Sequence, residues 1–237
     1  VIELAVFDMA GTTIDEHGAV YEALRHAVES TGVAVATADL QTWMGTDKRE
    51  AIAALVRIGG GHPDAELVER QYEVFRTYLK QRYAEVPPQP IAHADKALEE
   101  LRARGIKVAL TTGFSDDVAL PLLDSLGWST GEGGNLDAVV TSDEVRRGRP
   151  APYMIHRAME KCGVVDVRGV LVAGDTVVDL EAGTNAGAGV VVGVLTGQLT
   201  REQLELHPHT YVLNGVADVP GIPETTGPET AGPVPAS

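Results

Sequence analysis

The sequence predicts an α/β fold, a doubly wound parallel sheet with an inserted small α-helical cap. Three observations carry this. Beyond residue 90, short apolar runs alternate with amphipathic stretches of helical period, the pattern of a parallel sheet wrapped on both faces. Residues 21–83 show helical periodicity with no convincing strand. Several apolar runs end abruptly in Asp-, Thr- and Gly-rich segments, where such sheets place their ligands.

Residues 1–7 read as a buried strand ending at Asp8-Met9-Ala10-Gly11-Thr12-Thr13. In the helical stretch, Ala23, Leu24, Ala27 and Val28 share one face; Ala51, Ile52, Leu55 and Val56 share another; Val68, Tyr72, Phe75 and Leu79 make a third. Val86-Pro87-Pro88-Gln89-Pro90 is a stiff linker that closes this subdomain. Thereafter the pattern predicts a helix over 92–104, a strand over 106–110, a helix over 116–126 and a strand over 136–140. A helix over 150–161, a strand over 169–173, a helix over 180–186 and a strand over 189–195 complete a Rossmann-like core. The expected division is a core of 1–14 and 87–219, a cap of 15–86, and a disordered Pro-, Gly- and Thr-rich tail over 220–237. There is no internal repeat.

The chain has 237 residues, room for one large domain or a core with a cap. Hydrophobic residues at 44% and charged residues at 22% exclude a mainly disordered or collagen-like chain. With Cys162 the sole cysteine, no intrachain disulfide can form, which is in keeping with a reducing compartment. Thirty-four acids against 19 bases give a net charge of −15, which argues against nucleic acid or an anionic membrane as partner. Any phosphate site must therefore reverse the sign locally, through a metal or placed cations. No apolar run reaches the roughly 18 residues of a membrane span. Val1–Phe7 lacks the basic flank and cleavage pattern of a signal peptide, so a cytoplasmic enzyme is the expectation.

The strand ends deliver Asp8, then Thr111 and Thr112, then Asp175 with Asp179 four residues on; Arg149 lies in the loop Gly148-Arg149-Pro150. Each has a plain alternative. Asp8 and the Gly174-Asp175 pair are ordinary turn or capping residues, the Thr pair can cap the next helix, and Arg149 alone is a solvated charge. Together they make a different set. Carboxylates gathered at one site repel unless a hard cation joins them, and an oxygen-only set suits Mg²⁺ rather than zinc. Threonine hydroxyls and an arginine add donors for phosphoryl or phosphonyl oxygens.

In this order the four segments Asp8–Thr13, Thr111-Thr112-Gly113, Gly148-Arg149-Pro150 and Gly174–Asp179 resemble the motifs of the haloacid dehalogenase superfamily. The resemblance runs from residue 1 to about 196, and the inserted helices are similar to that superfamily's small helical cap. It implies that Asp8 is a nucleophile forming an aspartyl phosphate. It also implies that Asp8, the Ala10 carbonyl and Asp175 hold Mg²⁺, with Asp179 acting through water or from behind. Thr112 would bind a phosphoryl oxygen, and Arg149 would neutralise charge on the nucleophile and the transferring group. Thr12 and Gly113 fall in the same motifs and are expected at the substrate.

Ala10 stands where most phosphatases of the superfamily carry a second Asp, which protonates the leaving alkoxide. Losing a general acid typically costs about 10²–10⁴-fold. Asp8-Met9-Ala10-Gly11-Thr12-Thr13 instead resembles the phosphonatase (phosphonoacetaldehyde hydrolase) branch, in which carbon leaves phosphorus and an amine serves as the electron sink. The segment Met44-Gly45-Thr46-Asp47-Lys48 has that branch's cap spacing, which gives Lys48 the imine-forming role. Asp47 with Glu50 reads as an Asp variant of the capping box, placing Lys48 in a first helical turn. There the helix dipole and Arg49 would both lower its pKa. A solvated lysine at a helix start is the plain alternative.

Three features depart from that branch: Ala51 stands for a His, Phe114 for a Tyr, and the cap is shorter. The expected activity is Mg²⁺-dependent P–C cleavage of phosphonoacetaldehyde or a close analogue to acetaldehyde and phosphate. A phosphatase for small monoesters such as sugar phosphates, and a non-catalytic binder on the same fold, are the alternatives; a homodimer is also allowed. Trp43 and Met44 either line the substrate pocket or pack cap on core. His17 belongs to a loop, the other histidines have no metal spacing, Cys162 is a packing residue, and Gly59-Gly60-Gly61 is a turn.

Overall fold

The first apolar run forms strand β1 (Leu4–Asp8), buried at every position, in a computed structural model that describes residues 1–226. The chain leaves the sheet through the short strand β2 (Ile14–Asp15) and enters helices α1 (Ala19–Glu29), α2 (Thr37–Thr42), α3 (Lys48–Ile58) and α4 (Ala65–Glu85). It returns along β3 (Gln89–Pro90), which pairs antiparallel with β2, Ile14 facing Pro90. The departing and returning strands are thus tied together at the base of the helical insert. The apolar stripes expected on α1 and α3 are buried in full, and on α4 Tyr72, Phe75 and Leu79 are buried while Val68 is half-buried.

The core continues with α5 (Ala94–Ala103), β4 (Lys107–Thr111), α6 (Asp116–Ser125), β5 (Ala138–Val140), α7 (Tyr153–Cys162), β6 (Val170–Gly174), α8 (Val177–Ala186) and β7 (Val190–Val194). After these come α9 (Arg201–Glu205), β8 (Tyr211–Leu213) and α10 (Pro223–Thr226). The main sheet has the order β5-β4-β1-β6-β7-β8 with every pair parallel. This is a Rossmann-like, doubly wound α/β fold. Along β1 the side chains alternate between two cores, Ala5 and Phe7 on one face, Leu4 and Val6 on the other. The first core runs without a break into the cap, through Ile52, Tyr72 and Phe75; the second lies under α7 and α8 and includes Cys162.

Strand order reverses at β1, so the loops after β1, β4 and β6 converge at one crevice. Register makes this concrete: Asp8 pairs with Thr111, and Phe7 with Ala173, one residue before Gly174.

Three expectations need correction. The tail does not begin at residue 220. Val216–Gly221 forms a 3-10 turn and α10 follows, with Val219, Pro220, Ile222 and Thr225 buried. Arg104 donates to the carbonyls of Pro220 and Thr225, and the Ile2 N–H to that of Glu224, which holds the segment against the core; residues 227–237 lie outside the described residues. Helix α8 starts at Val177 rather than 180, because Asp179 accepts from the Thr176 N–H and hydroxyl and fixes the helix start there. An edge strand, β8, and the helices α9 and α10 lie beyond the last strand that periodicity identified. No described helix is long and apolar enough to cross a membrane.

Candidate active site

Asp8, Asp175 and Asp179 come together, each offering a carboxylate oxygen within 4.8 Å of the others, and all three are buried. Burial raises Asp8 to about 6, with Arg149 pulling it down and Asp179 pushing it up. Burial, Asp8 and Asp179 hold Asp175 well above the carboxylate range, against the hydrogen bond that Thr12 Oγ1 donates to its Oδ1 at 2.9 Å. Three buried carboxylates this close repel one another, and a cation sharing the site relieves that repulsion. Arg149 is part of the answer. It is buried, its Nη2 lies 2.5 Å from Asp8 Oδ1 as an ion pair outside hydrogen-bonding alignment, and its Nη1 donates to Asp179 Oδ1. Burial opposes its charge, but Asp179 and Asp8 more than offset this and keep it protonated.

The donor set also fits a hard divalent ion. Asp8 and Asp175 face the cavity, and among the described residues the Ala10 carbonyl accepts no backbone hydrogen bond. Gly11 has φ +86°, and a Cβ there would come within 2.6 Å of Asp175 Oδ2, so only glycine lets the loop close over this carboxylate. Asp179 is already committed: its Oδ1 serves Arg149 and its Oδ2 accepts from Thr176. It is therefore placed to orient the centre from behind.

A cavity of about 390 Å³ lies between this centre and the cap. Asp8, Ala10, Thr112, Gly113 and Asp175 line its core side, and Met44, Gly45 and Lys48 line its cap side. Lys48 is the first residue of α3, capped by Asp47, whose carboxylate accepts from the Arg49 and Glu50 N–H groups. Of the expected capping box only this half forms. The amine is buried, donates to the Thr46 carbonyl at 3.2 Å, and sits 5.6 Å from the centre of the Phe114 ring. Its pKa falls to about 8. Burial is the main cause; Asp8 opposes it and Arg149 adds to it. The direction is the expected one but the reason differs, since Arg49 is turned away to Glu69 and the Tyr72 ring. The solvated-lysine alternative is excluded.

The family model for haloacid dehalogenase-like hydrolases matches residues 2–187. The chain belongs to this family. A phosphonoacetaldehyde hydrolase from Bacillus cereus is 31% identical over 223 residues, covering 86% of this chain and 81% of its own. The crystal structure of a phosphonoacetaldehyde hydrolase-like protein from Oleispira antarctica superposes with a TM-score of 0.76 at 26% identity, over 92% of this chain and 90% of that one. A β-phosphoglucomutase from Clostridium difficile shares the fold alone, with a TM-score of 0.78 at 18% identity over 92% and 93% of the two chains.

In this haloacid dehalogenase-like hydrolase, Asp8, Ala10, Met44, Lys48, Thr112, Gly113 and Asp175 meet in one cavity, with Arg149 and Asp179 directly behind it. Thr12 departs from expectation, because its hydroxyl is spent on Asp175 and it does not line the cavity. Thr112 Oγ1 accepts from the Phe114 N–H at 3.1 Å, which orients the hydroxyl. Trp43 packs against the hydrophobic cluster that runs from core into cap, while Met44, buried in that same cluster, also lines the cavity. Sequence reasoning missed Glu16, Tyr21, Thr196, Gly197 and Gln198, all lining the cavity. Glu16 had a signal: it falls one helical turn before Val20, on the face that Ala23 and Ala27 continue, where an acid is out of place.

Proposed function

We propose that this hydrolase cleaves the P–C bond of a small phosphonate, phosphonoacetaldehyde or a close analogue, with Mg²⁺ as cofactor and an aspartyl phosphate on Asp8. One observation carries the reading. Ala10, which has no proton to give, and Lys48, a buried amine with lowered pKa, face the same cavity as the nucleophile. Similarity to the Bacillus cereus relative supports it.

Bound between Asp8, the Ala10 carbonyl and Asp175, Mg²⁺ would supply charge neutralisation for the phosphonyl oxygens. Lys48, neutral in a substantial fraction near pH 8, adds to the aldehyde carbon; loss of water leaves a protonated imine. Asp8 attacks phosphorus, and the electron pair of the P–C bond moves into the imine to give an enamine. Protonation at carbon and hydrolysis return acetaldehyde and free Lys48, and water then hydrolyses the acyl phosphate. Arg149 offsets the charge around Asp8, and Thr112 holds a phosphonyl oxygen.

The test is phosphate release from phosphonoacetaldehyde against a panel of sugar phosphates, with and without Mg²⁺. Phosphonate turnover that needs the metal and is lost in Lys48→Met is the expected result. Monoester turnover outrunning phosphonate turnover would overturn the reading in favour of a phosphatase.

A further inference from the structure

Imine formation at Lys48 needs more than an amine. The carbinolamine must lose hydroxide as water, which calls for an acid beside the amine and for a base to take the nitrogen's proton. Ala51, three residues after Lys48, and Phe114, whose ring centre lies 5.6 Å from the amine, transfer no protons. The cavity wall contains no histidine among the described residues. Its other acids are engaged: Asp8 pairs with Arg149, Asp175 with Thr12, and Asp15 lies 3.3 Å from His17. The Tyr21 hydroxyl donates to Gln41, and burial keeps its proton on.

Glu16 remains. It is 8% exposed, lines the cavity with Lys48, and its charge and that of Lys48 act on each other. Its Oε2 accepts from the Val20 N–H at 2.7 Å, which anchors the carboxylate at the start of α1.

We propose that Glu16 is the proton-transfer residue for the carbonyl chemistry at Lys48. The inference rests on the P–C cleavage reading. Glu16 enters as the neutral acid: as Lys48 adds, the C–N bond forms, the carbonyl π pair moves to oxygen, and Glu16 gives its proton to that oxygen while taking one from the nitrogen, so that it ends the addition protonated again. The protonated carboxyl then gives its proton to the departing hydroxyl; the C–O bond breaks, water leaves, and the nitrogen lone pair makes the iminium. Burial raises the Glu16 carboxyl above the ordinary range, which favours the protonated form this second step needs.

The test uses the full chain carrying Asp8→Ala, so that the imine accumulates, with phosphonoacetaldehyde, Mg²⁺ and timed borohydride quenching, read by peptide mapping of Lys48. Adding Glu16→Gln keeps the acceptor for Val20 but removes proton transfer. The expected result is labelling slowed about 10²-fold to an unchanged final extent, because a proton-transfer catalyst changes rate and not equilibrium. In Glu16→Ala, added formate restores part of the rate. Labelling as fast as with Glu16 present, or a reduced final extent at unchanged rate, overturns the role of Glu16 alone. Absence of Lys48 labelling with Glu16 intact overturns the imine mechanism and the inference with it.

Discussion

A cation buried at the first position of a helix destabilises the fold that holds it, and Lys48 is such a cation. Its folded pKa of about 8 lies below the reference 10.5, so between these values the unfolded chain binds more protons and stability rises with pH. On the P–C cleavage proposal Lys48→Met abolishes turnover; it should also raise stability below pH 8 by on the order of 3 kcal/mol, seen as a melting temperature about 6–12 °C higher. The gain should fade as pH climbs from 8 towards 10.5. Asp8 supplies a second residue-level prediction. On the proposed Mg²⁺ dependence, protons at a carboxylate with a pKa near 6 would compete with the ion, and Mg²⁺ affinity measured by calorimetry should be about tenfold weaker at pH 5 than at pH 7. Asp8, Thr112 and Asp175 were legible because each lies at or just past the end of a strand at the crevice. The cause of the Lys48 shift was not, because burial depends on how cap meets core, which no local spacing encodes.

At the scale of elements, the loop from α2 to α3 is seated on the strand-end loops of the core. A Cβ on Gly113 would overlap the Thr46 carbonyl, and one on Gly45, at φ +77°, would lie 2.7 Å from Thr176 Oγ1. Gly113→Ala should therefore hold the loop off the core and lower kcat at least tenfold, with the core fold intact by circular dichroism and melting. Elements with a full apolar face, such as α1 and α3, were readable from period alone. β8 was not: Tyr211, Val212 and Leu213 are each half-buried on a sheet edge, too short and too exposed to show a pattern. The 220–226 segment was misread because Pro and Gly suggested disorder, while Ile222 packs into the core and Arg104 ties the backbone.

For the whole molecule, the cap is held to the core by polar ties as well as apolar packing. The Tyr72 hydroxyl on α4 bonds to Ser115, which also bonds to Asp117, and Arg76 pairs with Asp117. Ser115 follows Phe114, whose ring faces Lys48, so this tie is continuous with the cavity wall. Tyr72→Phe should cost about 1 kcal/mol in urea unfolding and speed amide hydrogen exchange in α4 more than in β1 or β6. An unchanged exchange pattern would show that the tie does not hold the cap. Fold class and cap were legible at this scale, since alternation and its interruption are long-range features of the chain; the tie was not, because Tyr72 and Ser115 are 43 positions apart.

The bond from the Ile2 N–H to the Glu224 carbonyl, at 3.3 Å, brings two distant stretches of backbone side by side. A short Gly-Ser bridge between these neighbours, with new ends opened among Gly131, Glu132 and Gly133 in the exposed turn ahead of β5, would yield a circular permutant that keeps every strand of the main sheet in place.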